Sequence, residues 1–295
     1  MEYLLHIGEL VCILAVLAIA LDIVTGHMGF VSVSHAAFYG IGAYCSALLA
    51  VLCGAGFVVA LLIGVFLSFL MSFFVSLPSL RLHDDFFVIA TFGFQMILFN
   101  VFNNWIELTR GPLGIYGILP PVIFGWHVTT NLDFLILSLL FVAFAFFVVN
   151  RIASSPFGRV LHAIRENEVT VGALAKNARR YKVSAFAVSA MLAAMAGSLY
   201  AHYITYIDPT SFTINESILV LSMVIIGGAG SKWGPLLGAV VLVTLPEALR
   251  FVGMPSAIAA NMRQIIYGLA LVACMLWRPQ GLIGEYTFGR EGERK

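Results

Sequence analysis

The sequence predicts an all-α, polytopic integral membrane protein with about eight to ten transmembrane helices, some of them broken or re-entrant. Composition is the first reason: 61% of the residues are hydrophobic and 11% charged, against about 45–50% and about 25% in soluble domains. Next come apolar runs such as Leu4 to Leu21, Phe57 to Leu77, Phe134 to Val149 and Ile265 to Trp277. These approach or reach the roughly 20 residues that cross a bilayer core of about 30 Å. The third observation is charge placement. A net charge of +1 conceals basic clusters between Arg151 and Lys182 and from Arg278 to Lys295.

Lys and Arg in short loops favour the cytoplasmic side, so Arg151, Arg159, Arg165, Lys176, Arg179, Arg180 and Lys182 are expected to face the cytoplasm. Spans are then read near 4–21, 36–52, 57–77, 86–104, 133–150, 183–203, 217–229, 235–249 and 264–278. Four spans after the basic loop return the tail with Arg290, Arg294 and Lys295 to the cytoplasm. Five before it put Glu2 and Glu9 outside and Arg81 inside. Met1-Glu2-Tyr3 lacks the basic n-region of a cleavable signal, so the first span is expected to be retained. Residues 217–229 and 235–249 are short for a crossing at about 1.5 Å per residue, which makes tilted or re-entrant segments the expectation there.

Glycine and proline interrupt the apolar pattern at Gly26-His27-Met28-Gly29, Pro78, Gly111-Pro112-Leu113-Gly114, and Gly227-Gly228-Ala229-Gly230 followed by Gly234-Pro235. Broken backbone at membrane depth survives where protein or an aqueous cavity satisfies it, and paired interruptions mark substrate sites in transporters. Close helix packing explains the same glycines. Gly227, Gly228 and Gly230 are read as a hinge. Ser189, Ala193, Gly197 and Ala201, and likewise Gly230, Gly234 and Gly238, recur at helical spacing as packing ridges.

Covalent chemistry finds no support. Gly228-Ala229-Gly230-Ser231-Lys232-Trp233 fails both the dinucleotide and the P-loop templates, so no nucleotide is expected there. Cys12, Cys45, Cys53 and Cys274 lie in or beside apolar runs without metal-site spacing. No cofactor, metal or nucleic acid is expected, and lipid is the solvent.

Five segments carry a family likeness. They are GHMGFVSVSHAAFYGIGAY from Gly26 to Tyr44; Leu80-Arg81-Leu82-His83-Asp84-Asp85-Phe86-Phe87, continuing through Ile89 to Phe94 and on to Asn103-Asn104-Trp105; TRGPLGI from Thr109 to Ile115; SPFGRVLHAIRENEVTVGALAKNARRYKVSAF from Ser155 to Phe186; and MVIIGGAGSKWGPLLGAVVLVTLPEALR from Met223 to Arg250. In this order they resemble the LivM-type permeases of high-affinity branched-chain amino acid importers. The sequence departs from the family pattern at Ser34, His83-Asp84, Arg110 and Leu113, where Gly, Arg-Gly, Gly and Asn are usual.

The resemblance implies a single permease domain over 1–295 in the bacterial inner membrane, with a cytoplasmic coupling loop at 152–182 and no catalysis of its own. The implied partners are a homologous, LivH-like second permease, two cytosolic ABC ATPase subunits and a periplasmic solute-binding protein. Arg165, Glu166, Asn167, Glu168, Val169, Gly172 and Leu174 would form the coupling helix that seats on an ATPase. The substrate pathway is expected along Ser34, His35, Tyr39, Gly40 and Tyr44 on the second span. On the fourth span it would follow Thr91, Gly93, Gln95, Asn103 and Asn104. His35 either contacts solute or satisfies a carbonyl at the broken turn, and the amides either line the pore or join helices. The solute stays open among branched-chain or related amino acids, urea, short amides and aromatic carboxylates. An ion-coupled transporter would need buried carboxylates on spans, for which Asp22, Glu216 and Glu247 are the candidates.

Overall fold

The computed structural model describes residues 2–79, 84–123 and 125–250, together with 265, 268–269, 271–274, 276 and 280–283. Arg81, His83, Arg263, the basic tail, the side chains of Glu247 and Arg250, and most of the span read near 264–278 lie outside the described residues.

Eight of the expected spans are helices. They are α1 (Glu2–Asp22), α2 (His35–Cys53), α3 (Phe57–Ser79), α4 (Asp84–Asn104), α6 (Asn131–Ala153), α9 (Ala178–Ile204), α10 (Ile214–Gly227) and α11 (Gly234–Arg250). A four-residue helix, α5 (Ile106–Thr109), follows α4, and α7 (Pro156–Glu166) and α8 (Glu168–Ala173) fill the basic loop. Among the described residues, six helices are long and apolar enough to cross a membrane. α10 and α11 have 14 and 17 residues, or about 21 and 25 Å of rise, less than a full crossing. The sequence reading of two short segments therefore holds.

Local signals set the helix ends. Thr130 and Asp133 form a capping box at the start of α6, each side chain accepting the other's backbone N–H. Gly54, at φ +60°, stops α2 in the left-handed region. Pro78 does not interrupt α3: it lies one residue before the helix's last, where α3 forgoes the one backbone bond that a proline cannot donate. The helix runs on to Ser79, and Arg179 donates to the Leu77 carbonyl at 2.9 Å. Two short antiparallel ribbons, β1 (Ile115–Tyr116) with β4 (Tyr206–Ile207) and β2 (Val122–Ile123) with β3 (Trp126–His127), were not signalled by the sequence. They occupy the end of the bundle opposite α7 and α8.

α1, α2 and α9 form the interior. The most apolar windows of α1 and α9 are each 72% buried, against 28%, 22% and 28% in α3, α4 and α6, so the latter three are peripheral. α2 and α9 run side by side in the same direction. A Cβ at Gly42 would overlap the Ala194 carbonyl, and one at Gly197 would overlap that of Tyr39. The Ser189, Ala193, Gly197, Ala201 ridge is thus a backbone-to-backbone contact. α10 and α11 pack equally tightly as a hairpin, with Gly227 on Gly234 and Gly238 on the Met223 carbonyl.

α2 starts late. His35, its first residue, bonds to Ser189, which lies about 16 Å of helical rise beyond the start of α9. The stretch between α1 and α2 consists of a π-helical turn at Ile23–His27 and an irregular segment at 28–34 whose Met28, Phe30, Ser32, Val33 and Ser34 are buried. Its backbone is satisfied inside the protein. Phe30 N–H donates to the Val24 carbonyl at 3.0 Å, and Val33 N–H to Thr91 Oγ1 at 3.4 Å.

Gly197→Leu should therefore lower the yield and thermal midpoint of purified protein, at a cost of about 1–3 kcal/mol or more from overpacking. Gly93→Leu should not, because nothing lies within 4 Å of a Cβ built there. Differential melting of the two variants in detergent checks this, and equal midpoints would remove the α2–α9 contact as a stabilising element.

Candidate functional site

Two helices begin side by side midway through the bundle. A 3-10 turn at Pro209–Phe212 carries the chain inward after α9, and Gln95, halfway along α4, donates its amide N–H to the Phe212 carbonyl at 2.8 Å. α10 starts directly afterwards. Its Ser217 hydroxyl accepts the Ala36 N–H from the first turn of α2 at 3.0 Å and lies 3.5 Å from Gln95 Oε1. Ser32 and Ser34 hydrogen-bond each other at 3.1 Å beneath them, and Thr91 accepts from Val33. Uncharged polar groups from α2, α4 and α10 thus form one buried seam at mid-depth.

His35 closes the seam on the α9 side. Ser189 donates its hydroxyl to the Ala20 carbonyl, so its oxygen accepts from His35 Nε2 at 2.7 Å and the imidazole proton resides on Nε2. Nδ1 is buried with no hydrogen-bond partner. His35 thus bonds a hydroxyl, and it is Ser189 that satisfies the Ala20 carbonyl of α1.

Toward the opposite end the walls turn aromatic. Tyr44 stacks on Phe102 with ring centroids 4.5 Å apart, and Tyr39 and Tyr44 both pack on Phe212. Gly40 sits where its missing side chain makes room for Phe102 and Phe212. Of the residues selected from the sequence, Ser34, His35, Tyr39, Gly40, Tyr44, Thr91 and Gln95 are buried within this single chain. Gly93 and Asn103 are half-buried and Asn104 is exposed. The structure joins the first group to Ser32, Ser217 and Phe212, which sequence reasoning missed. Ser217 opens one of the short apolar spans, and that shortness was the available signal.

At the α7–α8 end, Ser155 caps α7 by accepting the Gly158 N–H, and Asn167 caps α8 by accepting from Val169 and Thr170. Val160, Leu161 and Ile164 bury one face of α7. Glu166, Asn167, Glu168, Val169, Gly172 and Leu174 are all exposed, Val169 by 81% and Leu174 by 68%, so two apolar side chains stand bare on a polar loop. Arg165 instead turns inward. It donates to the Gly26 carbonyl, and its stem lies against Gly29, where φ is +83°.

The hinge glycines meet the same junction. Gly228 and Gly230 have φ of +114° and +80°, and the Gly230 N–H donates to Asp22 Oδ1 at 2.7 Å. His27, 3.7 Å from Asp22, bonds to His162 of α7 at 3.2 Å. The end of α1, the α7 helix and the α10–α11 loop are therefore knotted together. Glu9 is buried on α1. Among the described residues, no three His, Cys, Asp or Glu side chains are grouped to hold a metal ion.

The order of these elements coincides with a known family. A model described as branched-chain amino acid transport system / permease component matches residues 3–275. The chain belongs to that permease family. It is 34% identical to the high-affinity branched-chain amino acid transport system permease protein LivM of Escherichia coli K12, over 94% of this chain and 69% of that protein. A probable LivM of Methanocaldococcus jannaschii is 26% identical over 77% of this chain and 68% of its own length. The E. coli permease LivH is 23% identical over 92% and 91%, so the two permeases of one relative's transport system are both homologous to this chain. No solved structure matches it. As in those permeases, the present chain is a multi-span membrane protein, and its buried seam and its junction both fall within the matched residues.

His162 lies on α7, outside the spans, and burial holds it below its ordinary value of 6.5, with the Arg165 charge adding to the effect and Glu166 opposing it. A histidine whose folded-state pKa is depressed favours the neutral folded form. Its contribution is complete above the ordinary value and is lost as pH falls through it toward the depressed one. Melting curves between about pH 7.5 and 5.5 should show the parent losing stability on acidification and His162→Gln losing less. Identical pH profiles would exclude His162 as a titrating member of the junction.

Proposed function

We propose that this permease is one of two transmembrane subunits of an ATP-driven importer for branched-chain or related amino acids. In this reading residues 1–295 form one domain, loop 152–182 and the C-terminus face the cytoplasm, and the exposed Val169–Leu174 stretch seats on one of two ATPase subunits. A LivH-like permease covers the open side of α4, and a periplasmic binding protein docks at the end that carries the β ribbons. The observation that carries the reading is the meeting of two interrupted helices, α2 and α10, at mid-depth, with the backbone leading into α2 anchored to the coupling segment at Gly26 and Gly29. Such a break offers a place where a small displacement opens or seals a path.

The basic residues Arg151, Arg159, Lys176 and Arg180 around α7 and α8 support the cytoplasmic orientation. The seam's hydrogen bonds are made by amides and hydroxyls, which suits a permissive conduit whose specificity comes from the binding protein, and the carboxylate of Glu216 lies beside them next to Ser217. Of the carboxylates that an ion-coupled mechanism would use, Asp22 is engaged by the Gly230 backbone, beside Arg165 and His27.

Co-purification of the tagged chain, identification of its binding protein and bound solute, and reconstitution of the captured complex in vesicles test the proposal. Uptake of leucine, isoleucine or valine that stops with a hydrolysis-deficient ATPase is the expected result. Uptake that persists would sink the ATP-driven reading, and a binding protein loaded with urea, an amide or an aromatic carboxylate would replace the cargo. In the same vesicles Gly93→Trp, on the open face of α4, should cut uptake per assembled complex by about tenfold or more, with complex yield scored separately. Parental uptake from that variant takes α4 off the pathway.

A further inference from the structure

Lys182 is a buried cation, 1% exposed, near the start of α9, and it faces two elements at once. Its ammonium donates to Glu168 Oε2 at 2.7 Å and lies 4.2 Å from the ring centroid of Phe30. Glu168 is the first residue of α8, and its side chain is 52% exposed, so it belongs to the surface of the coupling segment. Phe30 belongs to the irregular stretch before α2. Lys182 therefore spans the distance between the loop that would meet an ATPase and the backbone break that leads to the seam.

From Phe30 the contacts continue without a gap. Phe30 meets Phe87 of α4 edge-on at 5.3 Å, Phe87 meets Phe186 of α9 at 5.9 Å, and Phe186 meets Phe38 of α2 at 5.6 Å. Phe38 then packs at 5.3 Å on Phe94, the neighbour of Gln95. Phe38, Phe87 and Phe186 have no exposed surface, so none moves without displacing the next.

We propose that Lys182 is a positioning residue for transport, relaying displacement of α8 to the 28–34 segment and thence to the seam. The reasoning is electrostatic. A buried ammonium is tolerated while paired, and removing its carboxylate leaves a desolvated charge. Glu168 is the exposed member of the pair, so a partner that draws α8 outward either pulls Lys182 with it or strips it. In both cases the cation above Phe30 changes its place or its strength, and cation–π attraction is steep at this range. Arg165, which holds the Gly26 carbonyl, fixes the other end of the same segment. A push at α8 then bends residues 28–34 between two anchors.

The inference rests on the importer reading, and its test uses the whole reconstituted transporter, with solute delivered per ATP hydrolysed as the readout. Glu168→Gln removes the charge, Phe30→Leu removes the ring while keeping an apolar filler, Lys182→Met removes both interactions, and Lys182→Arg retains both. Glu168→Gln and Phe30→Leu should each lower the ratio by about threefold or more. Their combination should fall no further than the larger single effect, because both act through one side chain. Lys182→Arg should stay near the parent. Parental ratios in Glu168→Gln and Phe30→Leu, or fully multiplicative losses in the double variant, overturn the relay, and these two variants decide the matter even where Lys182→Met fails to assemble. A parent complex whose uptake does not need ATP overturns the importer reading itself. A coupled parent with coupled single variants overturns only the role of Lys182.

Discussion

Backbone that leaves regular helix within a membrane must find its hydrogen bonds inside the protein, and the rest of this architecture depends on that constraint. Residues 28–34 and 209–213 both leave regular helix within the bundle, and each is enclosed by neighbours that supply donors or acceptors. Enclosure needs closely packed helices. That is why α2 and α9 meet through Gly42, Ala194, Gly197 and the backbone of Tyr39, with no room for larger side chains. The polar residues follow from the same need: Thr91, Gln95, Ser189 and Ser217 are each hydrogen-bonded to backbone, and the larger hydrophobes face outward on α3, α4 and α6.

This division separates precision from permissiveness. The α7–α8 end is specified by charged and strongly directional contacts, in which Asp22, Arg165 and the Gly230 backbone meet within one junction. The mid-depth seam is specified by neutral groups, which exchange partners at small cost in a protected setting, since interhelical hydrogen bonds in membranes are typically worth about 1 kcal/mol.

Much of this was legible in the sequence, for identifiable reasons. Span positions followed from hydropathy, and the two short segments from their length. The small-residue ridges were visible because helical spacing puts residues four apart on one face. The family likeness singled out the loop at 152–182, where α7 and α8 form. What stayed hidden is non-local. Gln95 was legible as an amide on a helix, but its partner is the Phe212 carbonyl across 117 residues. Nothing in local periodicity reports that the chain turns inward at 209–212. Arg165 was read from the family likeness as part of the coupling helix, and its inward turn depends on Gly29, whose lack of a side chain admits the arginine stem. Pro78 shows the converse: it was read as an interruption, yet it lies inside α3, one residue before the helix's last.

The placement of α1 bears on how the molecule is made. It precedes the other described helices in the sequence, yet it packs against α6, α9, α10 and α11, and its Asp22 accepts from the Gly230 backbone 208 positions later. Helices in a bilayer insert individually and associate afterwards, so during synthesis α1 is a helix whose destination does not yet exist. It is apolar enough to wait in lipid, but Asp22 and Glu9 are carried there without their final surroundings. α1 can therefore complete its packing only once the α10–α11 hairpin has been made. Truncation anywhere before the α10–α11 hairpin leaves that first helix permanently without its partner and gives quality-control proteases a recognisable target.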